Sequence, residues 1–393
     1  MQLLISAVVA ALGGLLFGFD TAVISGTTEA LETVYGLDKG ALGFTVASAL
    51  IGTILGSIIV GRPADRYGRR MTLFVIGILF FVSAVGSALA WDWYSFVFFR
   101  FIGGIGVGGA SVVSPMYIAE ISPAPLRGRL VALAQFNIVF GILLAFFSNY
   151  LVAGFDLGAT EWRWMFGIEA FPAAAFILLL GITPESPRWL VAQKRPDAAS
   201  AVLRRLGMEE SVVGPQVAEI QASLDLDHHS MNEPFFAKKY SVPITLAIAI
   251  AMFNQLSGIN ALMYYAPEIF RMAGAGDKAL LQTVLVGGTN LVLTMLALSV
   301  IDHLGRKKLM IVGSIGYIVS LAATAWAFYT YGAEFGAVRS AFEALAAARE
   351  SGTATEALES AYAAALPAAA LGSKVVLVSL VVFIASHAFG QGA

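Results

Sequence analysis

"GRPADRYGRRMTLFVIG" (residues 61–77) and "DHLGRKKLMIVG" (302–313) are two copies of one pattern. Each sets an acid three residues before a glycine, then two bases, then a new apolar run. Asp65, Gly68, Arg69 and Arg70 fill these places in the first copy, and Asp302, Gly305, Arg306 and Lys307 in the second. Gly61 and Gly68 allow a tight turn or close backbone approach, because glycine has no Cβ. The bases alone would satisfy the preference of cytoplasmic loops for positive charge. The acid and glycine at fixed offsets ask for more. The loop, with Arg66 at its centre, reads as a latch between helices that move past each other. A repeat of this kind also implies two similar halves, a feature of transporters.

The flanks are apolar, and so is the chain. Of 393 residues, 58% are hydrophobic and 13% charged. A soluble chain carries about 25% charged residues, so most of this surface is expected to face the lipid bilayer. The net charge of −2 offers nothing to nucleic acid. With no cysteine there is no disulfide or thiolate metal site. No metal and no cofactor is expected. Gly104, Gly106 and Gly109 spell GxGxxG, but inside an apolar run and not after a strand. That position suits close helix packing, not a dinucleotide.

Runs long enough to span a bilayer, about 20 residues each, lie near 3–26, 41–60, 71–90, 95–115, 131–153, 163–183, 242–266, 280–301, 309–330 and 374–393. Basic residues concentrate in 61–70, 116–130, 184–241 and 302–308. Those segments, and the N-terminus, are therefore expected on the cytoplasmic side. The organisation expected is a first half over 1–190, a cytoplasmic helical linker over 191–241, and a second half over 242–393. Residues 332–373, Ala-rich with scattered Glu and Arg, form a long external connection of helical character. The fold class is an all-α membrane protein.

"LLFGFDTAVISG" (15–26) places Asp20 in an apolar run. A carboxylate at the centre of a bilayer costs about 2.5–3.5 kcal/mol on insertion scales. With one residue per 1.5 Å, Asp20 in span one, Arg100 in span four and Glu169 in span six lie at similar depths, roughly 8–9 Å from one edge. Two acids against one base leave one negative charge that a proton can relieve. The alternative is a permanent Asp20–Arg100 bridge between two spans. A fixed buried bridge has a weak stability rationale, since desolvation rivals the Coulomb gain.

Uncharged groups that both donate and accept suit a polyhydroxylated ligand. Mid-span amides are Gln135, Asn137, Asn254, Gln255, Asn260 and Asn290. Each is also able to serve as a helix–helix hydrogen bond, worth about 0.6 kcal/mol on average. Asn254, Gln255 and Asn260 flank Gly258, where a helix can break and open backbone groups to a ligand.

The 61–70 loop, "RFIGGIGVGGASVVSPMYIAEISPAPLRGRL" (100–130), "PESPRWL" (184–190) and "NQLSGINALMYYAPEIF" (254–270) occur in order along the chain. Together they resemble the sugar porter family of the major facilitator superfamily, its bacterial proton-coupled members above all. The resemblance covers nearly the whole chain. It implies a major facilitator fold of two six-helix halves, alternating access, and a monosaccharide and a proton as the transported partners. It implies a multi-pass protein of the cell inner membrane, not an enzyme. It implies that Asp20 carries the proton, with Arg100 and Glu169 beside it. It adds Glu185 and Arg188 to the latch residues. Gln135, Gln255, Asn260 and Asn290 fall where the family has sugar-contacting amides, and Asn254 stands where Gln is common. In the family, span ten continues past "SHAFGQGA" and two more spans follow, so the second half is expected to be incomplete here, with about ten spans present. Rival readings are a facilitative sugar or polyol uniporter and a sugar receptor that does not transport. No residue pattern specifies an oligomer.

Overall fold

The computed structural model describes residues 1–230, 238–351 and 355–390, with side chains at 226–230, 239, 277, 301, 302, 304, 306 and 350 outside that description. Ten of its helices are long and apolar enough to cross a membrane. Hydrocarbon leaves backbone N–H and C=O groups no water to bond, so a spanning chain closes its hydrogen bonds within each helix. Spans one to five are the helices Gln2–Val23, Lys39–Ile59, Arg69–Ala88, Trp93–Ile121 and Ala124–Ala153.

Three spans depart from a plain rod. Span six runs from Glu161–Gly167 through a short interruption into Ala170–Leu180. Pro172 has no N–H to give the carbonyl of residue 168, which loosens the helix there. Span seven is two helices, Ser241–Leu256 and Ile259–Met272, parted at Gly258 with φ +89°. Spans nine and ten are longer than their apolar runs, as Arg306–Glu350 and Glu356–Gly390. The 45 residues of span nine follow a helical path of about 68 Å at 1.5 Å per residue, bent at Tyr331, against a hydrocarbon core of about 30 Å. Residues 332–350 and 356–373 thus continue both spans as the two helical arms of a hairpin.

The chain divides into two compact units, residues 1–142 with 156–253 and residues 143–155 with 254–393. In the first unit, the core is built from Leu16, Ile76, Phe80, Tyr117 and Phe176, all at most 3% exposed, from spans one, three, four and six. In the second, Phe270, Phe383 and Ile384 are buried to within 1%. The far end of span five joins this unit, where Phe146 and Leu143 pack on Gly287 of span eight.

Glycine sets how closely spans two and four approach. A Cβ on Gly104 would strike the Ala49 carbonyl, and one on Gly52 would strike the Phe101 carbonyl. Gly108 and Gly56 repeat the arrangement one turn on, against Thr53 and Ile105. The GxGxxG letters therefore serve helix packing. Asp92 and Ser95 form a reciprocal capping box at the start of span four, which fixes the register of Arg100 two turns later.

Overpacking at a backbone contact costs about 1–3 kcal/mol. Gly104→Ala is expected to lower the thermal unfolding midpoint in detergent by several degrees. Gly43→Ala, at a glycine of the same pair of spans with open space around it, is expected to leave it unchanged or raise it.

Candidate functional site

Asp20, Arg100 and Glu169 are each 1% exposed and lie together in the first unit. Arg100 Nη1 donates to Asp20 Oδ1 at 2.7 Å, and Nη2 donates to the Asp20 carbonyl at 3.1 Å. Glu169 interacts electrostatically with both. The guanidinium also lies 5.4 Å from the centre of the Phe166 ring, a favourable position for a cation. Gly103 makes room for the group: a Cβ there would meet Ser83 Oγ and Asp20 Oδ1. The loosened step in span six carries Glu169 to the same place.

The cluster is under-satisfied. Among the described residues no protein group bonds Asp20 Oδ2, Arg100 Nε or Glu169 Oε1. With both carboxyls ionised the three groups carry one net negative charge, and one added proton makes them neutral. An uncompensated buried charge costs several kcal/mol. The arrangement can therefore exchange a proton with a small shift of partners.

The amides are placed in two groups. Gln135 is half-buried in the first unit. Asn254, Gln255, Asn260 and Asn290 belong to the second. Asn260 Nδ2 donates to Gln255 Oε1 at 2.6 Å across the break at Gly258. The Asn254 carbonyl accepts from Ser257 Oγ at 2.6 Å. Asn290 is 3% exposed, and its Oδ1 accepts from Thr294 at 3.4 Å. Asn137 spends its amide on the Leu133 carbonyl of its own helix, at 2.9 Å. Tyr317, which no sequence pattern singled out, is bonded to His387 Nδ1 at 2.7 Å and to Ser257. It links the break in span seven to spans nine and ten.

At the side of the basic loops, the start of span three meets one carboxylate, that of Glu185. Span three begins at Arg69, straight after Gly68 with φ +97°. Glycine has no side chain to cap the helix, and Glu185 does so from beyond span six. Its Oε1 accepts from the N–H groups of Arg69 at 3.0 Å and Ser186 at 2.8 Å, and its Oε2 from that of Arg70 at 3.2 Å. A helix N-terminus is a natural anion site. A Cβ on Gly68 would occupy the place of the Glu185 carboxylate, so both the conformation and the space require glycine.

Arg69 also donates from Nε to Glu120 Oε2 at 3.0 Å and lies 3.1 Å from Asp65 Oδ1. Arg70 caps the end of span six through the carbonyls of Leu180 and Gly181. Glu120 was not among the sequence candidates, although it sits in the quoted 100–130 stretch. Its signal is an acid ending an apolar span on the same side as Arg69. Arg66 stacks over Tyr67 at 5.3 Å, Arg188 bonds Ser223 at 3.2 Å, and Gly61 has open space around it. All of these contacts lie inside the first unit. In the repeat, Gly305 has φ +80°, and the side chains of Asp302 and Arg306 lie outside the described residues.

Burial pushes the Glu185 carboxyl above its ordinary value of 4.5, with the surrounding N–H groups and Arg69 pulling the other way. Between the two values the folded state binds more protons than the unfolded state. The stability contributed by Glu185 therefore falls as pH rises through that window. Glu185→Gln keeps an acceptor oxygen and removes the charge. Its thermal midpoint relative to the parent is expected to improve as pH rises from 4.5 toward neutrality. A pH-independent difference would show that the hydrogen bonds cancel the burial cost.

Comparison with known proteins agrees with this architecture. A family model described as sugar (and other) transporter matches residues 6–348. The D-xylose-proton symporter of Escherichia coli (strain K12) is 44% identical over 354 residues, covering 82% of this chain and 71% of that protein. The glucose transport protein of Synechocystis is 42% identical over 331 residues, covering 81% and 70%. The solved structure of the E. coli xylose transporter in a partially occluded inward-open conformation superposes with a TM-score of 0.81 at 36% identity, covering all of this chain and 85% of that one. The chain belongs to the sugar transporter family, the sugar porters of the major facilitator superfamily.

Proposed function

We propose that the protein carries a monosaccharide across the cell inner membrane by proton symport, with its N-terminus in the cytoplasm. The observation that carries this reading is the buried group of Asp20, Arg100 and Glu169, two acids against one base with free acceptor oxygens on both acids. A facilitator has no use for an excess buried carboxyl. A proton carrier needs a group whose charge is costly in one arrangement and compensated in another. Asp20 is the carrier in this reading, Arg100 the partner that competes with the proton, and Glu169 the neighbour that tilts the balance. The relatives named for D-xylose and for glucose leave both a pentose and a hexose as candidate substrates.

The substrate groups are Gln135, Asn254, Gln255, Asn260 and Asn290. The support lies in span seven, where the backbone is broken at Gly258 between two of these amides. Asn260 Nδ2 already donates to Gln255 Oε1, so a sugar hydroxyl that both donates and accepts can replace that bond at little net cost. The 61–70 loop, Glu185 and Arg188 are the latch on the cytoplasmic side, with Asp302, Gly305 and Arg306 as its counterpart. The organisation in this reading is a half over 1–190, a linker over 191–241 and a half over 242–393. Alternating exposure of the binding groups to the two sides moves the sugar.

Two variants test it in membrane vesicles. Asp20→Asn is expected to abolish accumulation driven by a proton gradient while sugar exchange at equilibrium persists. Accumulation at the parental level would instead support uniport. Gln255→Ala removes one hydrogen-bond partner and is expected to raise the half-saturating sugar concentration about tenfold, with a smaller change in maximal rate.

A further inference from the structure

The two helical arms 332–350 and 356–373 have no part in the proton or sugar chemistry above, yet they are firmly built. The helix of span nine bends at Tyr331, where φ is −110° and ψ 15°, and continues to Glu350. Beyond the bend, Phe335, Val338 and Leu345 are at most 2% exposed. The Phe342 and Tyr362 rings lie 5.7 Å apart across the hairpin. Gly372 lets the two arms cross, since a Cβ there would strike Tyr331 and Phe335.

The hairpin grips one end of the second helix of span seven. That helix, Ile259–Met272, ends on Ala273. Ser373 Oγ donates to the Ala273 carbonyl, one of the orphan acceptors of a helix C-terminus. The next turn is shaped to the hairpin. Gly274, with φ +80°, lies against Val338 and Ser373, and Gly276, with φ +52°, leaves no room for a side chain beside Tyr362. The other end of the helix is different. Gly258 has φ +89° and nothing packed around the place of a Cβ. Between the ends, the backbone leaves helical geometry at Tyr265, two residues before Pro267, which cannot bond the preceding turn.

We propose that this hairpin, through its arms 332–350 and 356–373, positions the amide-bearing end of span seven by holding its opposite end still. With Ala273 clamped, the half-helix cannot pivot as a rigid rod. Its movement is then confined to Gly258 and Tyr265, the two places where the backbone leaves helical geometry. Asn260 sits between them, so the clamp sets how far Asn260 can move from Gln255. Ser373 and Tyr362 act through span seven and touch no substrate. This inference rests on the assignment of Gln255 and Asn260 to sugar binding.

The chain has no cysteine, so the pair Ala273→Cys and Ser373→Cys gives a clean cross-link on the intact protein. Oxidation is expected to leave sugar exchange within about twofold of the reduced form, because the clamp does not open during transport. A block that reduction reverses would overturn the proposal and make the hairpin a latch that must release. The double variant Ser373→Ala, Tyr362→Ala is expected to raise the half-saturating sugar concentration about threefold or more with the maximal rate within about twofold, and Ser373→Thr to keep the parental value. A second readout does not depend on sugar. Amide hydrogen exchange over residues 266–275 is expected to quicken in the double variant. Unchanged protection there would sink the clamp whatever the transport result, while a parent that binds no sugar together with a double variant whose exchange quickens would sink the proposed function and leave the clamp standing.

Discussion

The pairing of Arg100 with Asp20 is the constraint on which the first unit turns. A guanidinium 1% exposed has to be met by an acid, and the acid has to arrive from another span. Every neighbouring feature serves that meeting. Gly103 opens the space beside Asp20, the Asp92–Ser95 box fixes the start of span four, and the loosened turn before Pro172 brings Glu169 in from the side. Removing one partner of a buried pair costs about 3–5 kcal/mol. The surplus acid is a standing cost of the same kind, and stability alone does not require it.

Much of this was legible in the sequence because hydrophobic length and isolated charges are local signals. The ten apolar runs correspond to ten candidate helical spans among the described residues, two of them interrupted. Asp20, Arg100 and Glu169 could be placed at one depth by counting residues, since a helix converts sequence distance into height. Gly258 was readable as a break because it stands among amides in an apolar run. What counting cannot supply is rotation about the helix axis. Depth alone allowed the three charges to meet but did not say which oxygen would be left free.

Glu185 shows a second limit. Gly68 was readable as a turn, and Asp65 as the acid of the repeat, but nothing local pointed to what caps span three. The cap comes instead from a residue over a hundred positions away, with Asp65 74% exposed and paired to Arg69. The reason is geometric. A glycine at φ +97° turns the chain so that the first N–H groups of span three face outward from their own loop, toward the segment after span six. Glu120 was missed for a related reason, since an acid at the end of an apolar span looks like ordinary interfacial charge until Arg69 is found beside it.

The hairpin shows where composition misleads. An Ala-rich stretch with scattered charges between two apolar runs suggests a connection outside the bilayer, and its helicity alone suggests no role. Its role comes from glycines elsewhere. Gly274 and Gly276 adopt left-handed conformations that cost a side-chain-bearing residue about 1 kcal/mol or more, and they do so just where Val338 and Tyr362 press on the chain. The turn and the hairpin are shaped to each other. A long insertion on a flexible tether would need no such fit. One docked on the end of a half-helix whose other end is a glycine at φ +89° with open space beside it changes the mechanics of that half-helix, because a clamped end confines bending to the breaks in its helical geometry.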